Sequence, residues 1–248
     1  MYKLYRKNPE NFAFAWIGIY CLVQSLGNGI SAQIGIQKSA NAVLALVQSV
    51  YMLWWLYKNG LMEEFQLKKP ARRSKNLIFY LPLILISTSN LWLGIRMNLS
   101  STALFFHVLL MLSVGFLEEL IFRGFLFEAL RKKNLKTAVV VSALTFGAGH
   151  IINFFNGRGM SFKAVLLQIV YAVLIGFLLV MIYLYSQSMI PCILAHQTIN
   201  ILSAFANHQA SQKCRLAGNI IEIVLILLYL AVIIKAVSAD NSGQYKDS

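Results

Sequence analysis

Acidic residues are scarce in this chain of 248: aspartate and glutamate number 9 together, against 22 lysines and arginines. Charged residues of either sign make up 12%, about half the share usual in a soluble globular domain. Neither aspartate, Asp240 or Asp247, lies in an apolar run, which excludes an intramembrane aspartyl protease, whose chemistry needs two. The zinc-peptidase motif HExxH, the nucleophile elbow GxSxG and a GxGxxG phosphate loop are also missing. The three cysteines, Cys21, Cys192 and Cys214, stand far apart with no CxxC pair, so single buried thiols are expected rather than a disulfide framework or a thiolate metal site. No internal period marks an inverted-repeat transporter. No cleavable signal pattern follows the basic start MYKLYRKNPENF, so the first apolar run reads as a retained helix.

What fills the chain instead is apolar sequence, 58% of all residues. The runs are long and unalternating, which predicts an all-α, polytopic transmembrane bundle rather than a barrel. Eight spans are expected: Phe12–Ile34, Ala42–Tyr57, Leu77–Ile95, Ala103–Phe127, Thr137–Phe155, Ala164–Tyr185, Ile190–Ala206 and Ile220–Ala236. Together they form one membrane domain over residues 1–240, with a catalytic core at about 101–206 and a disordered cytoplasmic tail at 241–248. The triplet Gly27, Asn28 and Gly29 predicts a kink or break in the first span. The stretch Lys58–Lys75 reads as a solvated loop that fixes topology, with an amphipathic interfacial helix as the alternative.

The net charge of +13 is no nucleic-acid signature, because the cations sit in short loops beside apolar runs. There they orient helices and meet the anionic headgroups of the lipid bilayer. Lys3, Arg6 and Lys7, the cluster from Lys58 to Lys75, and Arg131, Lys132, Lys133 and Lys136 fall on alternate loops. A multi-pass protein of the cell membrane with both termini cytoplasmic is the expectation.

Against this background Ser113–Leu130, SVGFLEELIFRGFLFEAL, stands out. A charge at the centre of a spanning helix costs roughly 2.5–3.5 kcal/mol, yet this stretch carries Glu118, Glu119 and Arg123. Glu119 and Arg123 are four apart and stack on a helix, whereas Glu118 is turned about 100° away, toward another helix. His150, in LTFGAGHIINFF, and His196, four residues before Asn200 in PCILAHQTINIL, lie in two further spans. Buried polar groups in lipid must find partners, and these are the ones to hand. Chemically the set suffices for peptide hydrolysis. A carboxylate and an imidazole can hold and deprotonate a water, directly or on a metal. A second histidine with an asparagine can stabilise an oxyanion, and the arginine can hold the second glutamate.

EELIFRG at Glu118–Gly124, FGAGH at Phe146–His150 and HQTIN at His196–Asn200 together resemble the EExxxR, FxxxH and HxxxN elements of the CPBP family. These are the Rce1-like intramembrane metalloproteases, often called Abi, that process CaaX proteins and bacteriocins. The resemblance covers about Leu112–Phe205. It implies that Glu118 activates water with help from His150, that His196 and Asn200 stabilise the oxyanion, and that Glu119 and Arg123 support them. Asn153 matches a polar position near the family histidine. A divalent metal such as zinc, held by Glu118, His150 and His196, and a metal-free water both suit this set. The implied partners are a peptide or lipidated-protein substrate, either a prenylated CaaX C-terminus or a peptide of pheromone or bacteriocin type, reaching a site that opens to the cytoplasm. A non-catalytic self-immunity or sensor protein of the same fold and a small proton-coupled transporter are the alternatives.

One depth disagreement accompanies this reading. From the expected cytoplasmic ends, Glu118 and His196 lie roughly 10–13 Å deep and His150 roughly 20 Å deep, at 1.5 Å per residue. Tilt, a kink at Gly147 or Gly149, or a deeper start of the fifth span would reconcile them.

Overall fold

The structure, a computed structural model, describes residues 1–70, 77–152 and 162–244. All eight apolar runs form helix, and no strand occurs among the described residues. The elements are α1 (Tyr2–Lys7), α2 (Pro9–Ile34), α3 (Ser39–Lys58), α4 (Leu77–Ser87), α5 (Ser101–Arg131), α6 (Leu135–Gly149), α7 (Phe162–Ser186), α8 (Ile190–Leu202) and α9 (Gln212–Gln244). Their capping follows the sequence. Asn8 accepts from the backbone N–H of Asn11 before Pro9, Ser100 from that of Ala103, and Asn134 from that of Thr137, each satisfying an amide that the first helical turn leaves open.

Five helices are long and apolar enough to cross a membrane: Pro9–Ile34, Ser39–Lys58, Ser101–Arg131, Ala164–Ser186 and Gln212–Ser238. The second expected span is therefore a full one of 20 residues. Among the described residues the expected spans Leu77–Ile95, Thr137–Phe155 and Ile190–Ala206 hold the shorter helices Ile78–Ser87, Leu135–Gly149 and Ile190–Phe205, and residues 153–155 lie outside the described residues. In α4 the hydroxyls of Ser87 and Thr88 bond back to the carbonyls of Leu83 and Leu85, a local competition that ends regular helix. The chain then passes through a 3₁₀ turn at Ser89–Leu91. At the C-terminus α9 runs on to Gln244, past the boundary expected at residue 240, because extending a helix is far cheaper than nucleating one.

The two ends of the bundle differ. At one end Arg6 meets Glu64, Lys133 meets Glu10 at 2.7 Å, and Arg131 meets Glu128 at 3.1 Å. Residues 59–70 lie there as turns, not as an interfacial helix. They are not simply solvated either, since Leu61 and Phe65 are fully buried. Phe65, Phe12, Trp55 and Phe125 form an aromatic knot with ring centroids 4.9–6.2 Å apart. At the other end, residues 88–100 pair with 203–209. The amide of Arg96 donates to Phe205 O, and the side-chain amides of Asn98 and Asn207 donate to the carbonyls of Ala206 and Leu93.

Close backbone approach sets the helix spacing. Helix α2 is continuous through Gly27, and no break occurs. A Cβ at Gly27 would come within 2.9 Å of Asn41 Cα, so the glycine admits α3 rather than bending α2. Asn41, 1% exposed, then donates to Gln24 O and accepts from Ser31 Oγ, the interhelical polar contact favoured where lipid supplies no alternative. Gly115 does the same for α5 and α8: a Cβ there would meet Gln197 N at 3.1 Å and Cα at 3.2 Å. The cysteines are free thiols as expected, but Cys214 is exposed rather than buried, because it lies in the first turn of α9 beside the polar segment 207–213.

Gly115→Val is expected to destabilise the protein by about 1–3 kcal/mol through overpacking, read as a lower thermal midpoint in detergent. Gly18→Ala, where nothing lies within 4 Å, should stay within about 0.5 kcal/mol of the parent.

Candidate active site

The middle of α5 departs from regular geometry where its charges lie. After Glu119 the helix widens into a π segment, Leu120–Phe127, whose eight residues are all buried. Such segments cluster at functional sites. The wider turn carries Arg123 toward α7, where its Nη2 lies 3.4 Å from Gly176 O. Its guanidinium also stacks over Phe146, with Cζ 4.3 Å from the ring centroid, a contact that favours a desolvated cation.

Glu119 and Arg123 are both 0% exposed, with Oε1 3.2 Å from Nη1. The pair is an ion contact, not an aligned double hydrogen bond, since Glu119 Oε2 and Arg123 Nε make no hydrogen bond. Glu119 Oε1 also lies 2.8 Å from His196 Nδ1. A carboxylate only accepts, so Nδ1 carries the proton, and Nε2 is turned to Glu118, 3.5 Å from its Oε2. Tyr20 donates from α2 to the other oxygen of Glu118 at 2.6 Å. The glutamate is thus aimed by two helices outside its own.

Beyond Glu118 is a cavity of about 310 Å³, walled by Tyr20, Gln24, His107, His150, Asn200 and, at its far end, Lys38. Of the six expected site residues, Glu118, His150 and Asn200 line this chamber, and His196 and Glu119 stand behind Glu118. Arg123 lies buried behind them. His150 lines the same cavity as Glu118. Its ring stands edge-on to Phe146 at 5.8 Å, while Phe146 meets His196 edge-on at 5.5 Å. Asn153 lies outside the described residues.

Among the described residues no three histidine, cysteine, aspartate or glutamate side chains gather as metal ligands, Glu118, His150 and His196 included. His196 sets its two ring nitrogens against the two glutamates, and the His150 ring stands edge-on to Phe146.

The depth disagreement resolves through helix length. Helix α5 continues to Arg131, which puts Glu118 roughly 20 Å from that end, and α6 starts at Leu135, which puts His150 roughly 22 Å from its own start. Helix α8 starts inside the bundle: Ser188 and Met189 are fully buried, and the Met189 amide bonds to Gln66 O at 3.0 Å. His196 therefore reaches the same level from a shorter helix. The cavity extends away from the cation-rich end toward Lys38, Gly149 and Ser203. The aromatic knot and residues 61–67 occupy the cation-rich end, and none of them lines the cavity.

Sequence reasoning missed three wall residues: Tyr20, Lys38 and His107. His107, 2% exposed, is a third intramembrane histidine and was visible as such in ALFFHVLLM. Its Nε2 lies 3.1 Å from Asn200 O, and its Nδ1 meets the ammonium of Lys38. Glu222 in α9 is a further buried acid. It accepts from Tyr171 at 2.8 Å and ties α9 to α7, away from the cavity.

A buried Glu–Arg pair, a histidine set between two glutamates and an internal chamber thus lie together inside the helical bundle. Residues 100–202, about two fifths of the chain, match the family model described as type II CAAX prenyl endopeptidase Rce1-like. The match is to a family of CaaX-type proteases, and the matched segment contains all six expected site residues. Comparison with curated proteins and with solved structures gave no match.

Arg123→Met should destabilise the protein by about 3–5 kcal/mol, since it leaves the Glu119 charge buried without its partner. The double variant Arg123→Met, Glu119→Gln should recover part of that loss. Thermal unfolding of the three proteins in one detergent measures it.

Proposed function

We propose that this protein is an intramembrane endopeptidase that hydrolyses membrane-associated peptides with a water activated by Glu118 and His196. The observation that carries the reading is the Glu118–His196 couple, 3.5 Å apart, facing a chamber and backed by a buried ion pair. In the reaction a water on the chamber side of Glu118 gives up a proton to the couple as its oxygen bonds to the scissile carbonyl carbon. The oxyanion is met by the carboxamide of Asn200, and His150 on the opposite wall holds the substrate. The proton taken from the water then passes to the leaving amine as the C–N bond breaks. Glu119 and Arg123 do not touch substrate. They hold His196 in one tautomer and one orientation.

The loop cations put the end bearing Arg6, Lys133 and both termini in the cytoplasm, so the chamber faces the outer side. Between the two substrate classes, this placement favours peptides of pheromone or bacteriocin type over prenylated cytoplasmic C-termini. Cys214, exposed at the chamber end, is then expected to react with a membrane-impermeant maleimide on intact cells. Protection of Cys214 until the membrane is permeabilised would invert the orientation.

For the chemistry, purified protein in nanodiscs is given quenched fluorogenic peptides, plain and prenylated. Glu118→Gln is expected to lower kcat by about 100-fold or more, the scale of general acid–base catalysis, with the thermal midpoint retained. Hydrolysis at the parental rate in Glu118→Gln would overturn the reading and leave a binding role for the fold.

A further inference from the structure

A second cavity, a groove of about 300 Å³, runs between α4 and α8. Helix α8 sets His196 and Gln197 against α5, and it lines the groove with Ile190, Pro191, Leu194, Ala195 and Thr198. The seam stays open because small side chains line its walls, Ser87 and Thr88 on α4 and Ala195 and Thr198 on α8. Ile84 and Leu194 border it and are exposed, so it opens sideways onto the bilayer. The serine and threonine hydroxyls in this wall are spent on their own helices. Ser87 donates to Leu83 O, Thr88 to Leu85 O and Thr198 to Leu194 O. A wall of this kind takes hydrocarbon rather than a polar ligand.

The groove begins at the cation-rich end. Pro70 lines it there, directly after the exposed Lys68 and Lys69. Lys68 O accepts from the hydroxyl of Ser188, which places the lysine backbone at the foot of α8. From Tyr80 to Thr88 on α4, and from Ile190 to Thr198 on α8, the walls rise roughly 12 Å at 1.5 Å per residue. That is close to one leaflet of a hydrocarbon core about 30 Å thick. A second membrane-spanning helix would need a seam about twice as long. The lipid of a substrate in the chamber is placed wrongly for it, since groove and chamber share no described wall residue and α8 stands between them. We infer that the groove seats an acyl chain of an anionic phospholipid of the cation-rich leaflet, with the headgroup at Lys68 and Lys69. Basic residues at the mouth of a seam between membrane helices recognise such headgroups. The bound chain fills the space behind α8 and backs the helix that carries His196 to the two glutamates.

The test uses the whole chain in phosphatidylcholine nanodiscs doped with phosphatidylglycerol that carries a photoactivatable diazirine in its acyl chain. A parallel set carries the same label on phosphatidylcholine, and labelled residues are mapped by peptide mass spectrometry. Leu22 on α2 and Leu228 on α9, both exposed, report the unselective lipid belt. Relative to them, phosphatidylglycerol is expected to label Ile84 and Leu194 about tenfold more than phosphatidylcholine does, the scale of two lysines acting on an anionic headgroup. Lys68→Gln together with Lys69→Gln should remove that excess. Thr198→Phe, which fills the groove, should lower the label there from both lipids. Equal labelling by the two lipids, an excess that survives loss of both lysines, or groove label unchanged in Thr198→Phe overturns the proposal. Displacement of the label by a farnesylated peptide would give the groove to a substrate's lipid and overturn it as well. So would disulfide-linked dimers of Leu194→Cys above the parent level, which would give it to a second copy.

Discussion

A carboxylate and a guanidinium with no access to water, Glu119 and Arg123, are the constraint around which this bundle is arranged. Neither can remain alone in a low-dielectric interior, and their mutual contact does not use up their hydrogen-bonding capacity. The rest is supplied from other helices: His196 from α8, Gly176 O from α7 and the face of Phe146 from α6. Four helices must therefore converge on one level. The π segment at Leu120–Phe127 is the local distortion that lets α5 address several neighbours at once. Charge burial, backbone irregularity and helix convergence are three aspects of a single arrangement.

Convergence is possible because the backbones can approach. Gly115 lets α8 lie against α5, and that contact carries His196 up to the two glutamates. Helix α8 is too short to cross a bilayer and starts from a buried turn at Ser186–Met189, whose groups bond to Gln66 and Lys68. The segment after α3 thus acts as a floor. It sets the depth at which α8 begins and closes the chamber on the cation-rich side. The chemistry is directed to the other end as a consequence of packing far from the glutamates.

Much of the site could be read from residue types. Three ionisable groups in an apolar run and two histidines in neighbouring runs are costly unless they meet, so their meeting could be inferred without coordinates. Their division of labour could not. Spacing alone gave His150 and His196 equal claims on Glu118, and only the packing of α8 on α5 separates them. Tyr20 and Lys38 escaped notice for a different reason. Tyrosine near a membrane interface and a single lysine in a loop are ordinary there, and nothing local marks them as facing a chamber. His107 carried a signal, a histidine inside a spanning run, that was as strong as those of the other two.

The sequence by itself determined that the chain is a helical membrane bundle, where its apolar runs lie and which residues had to find partners. Those properties follow from composition, period and the cost of burying charge, each a function of local residue order. Tertiary structure alone decided which helices are long enough to cross, which imidazole lies between the two glutamates, that no three-ligand metal set assembles among the described residues, and which residues wall the chamber. These depend on interhelical distances of a few ångströms, set by small residues and buried loops that act on parts of the chain remote from themselves.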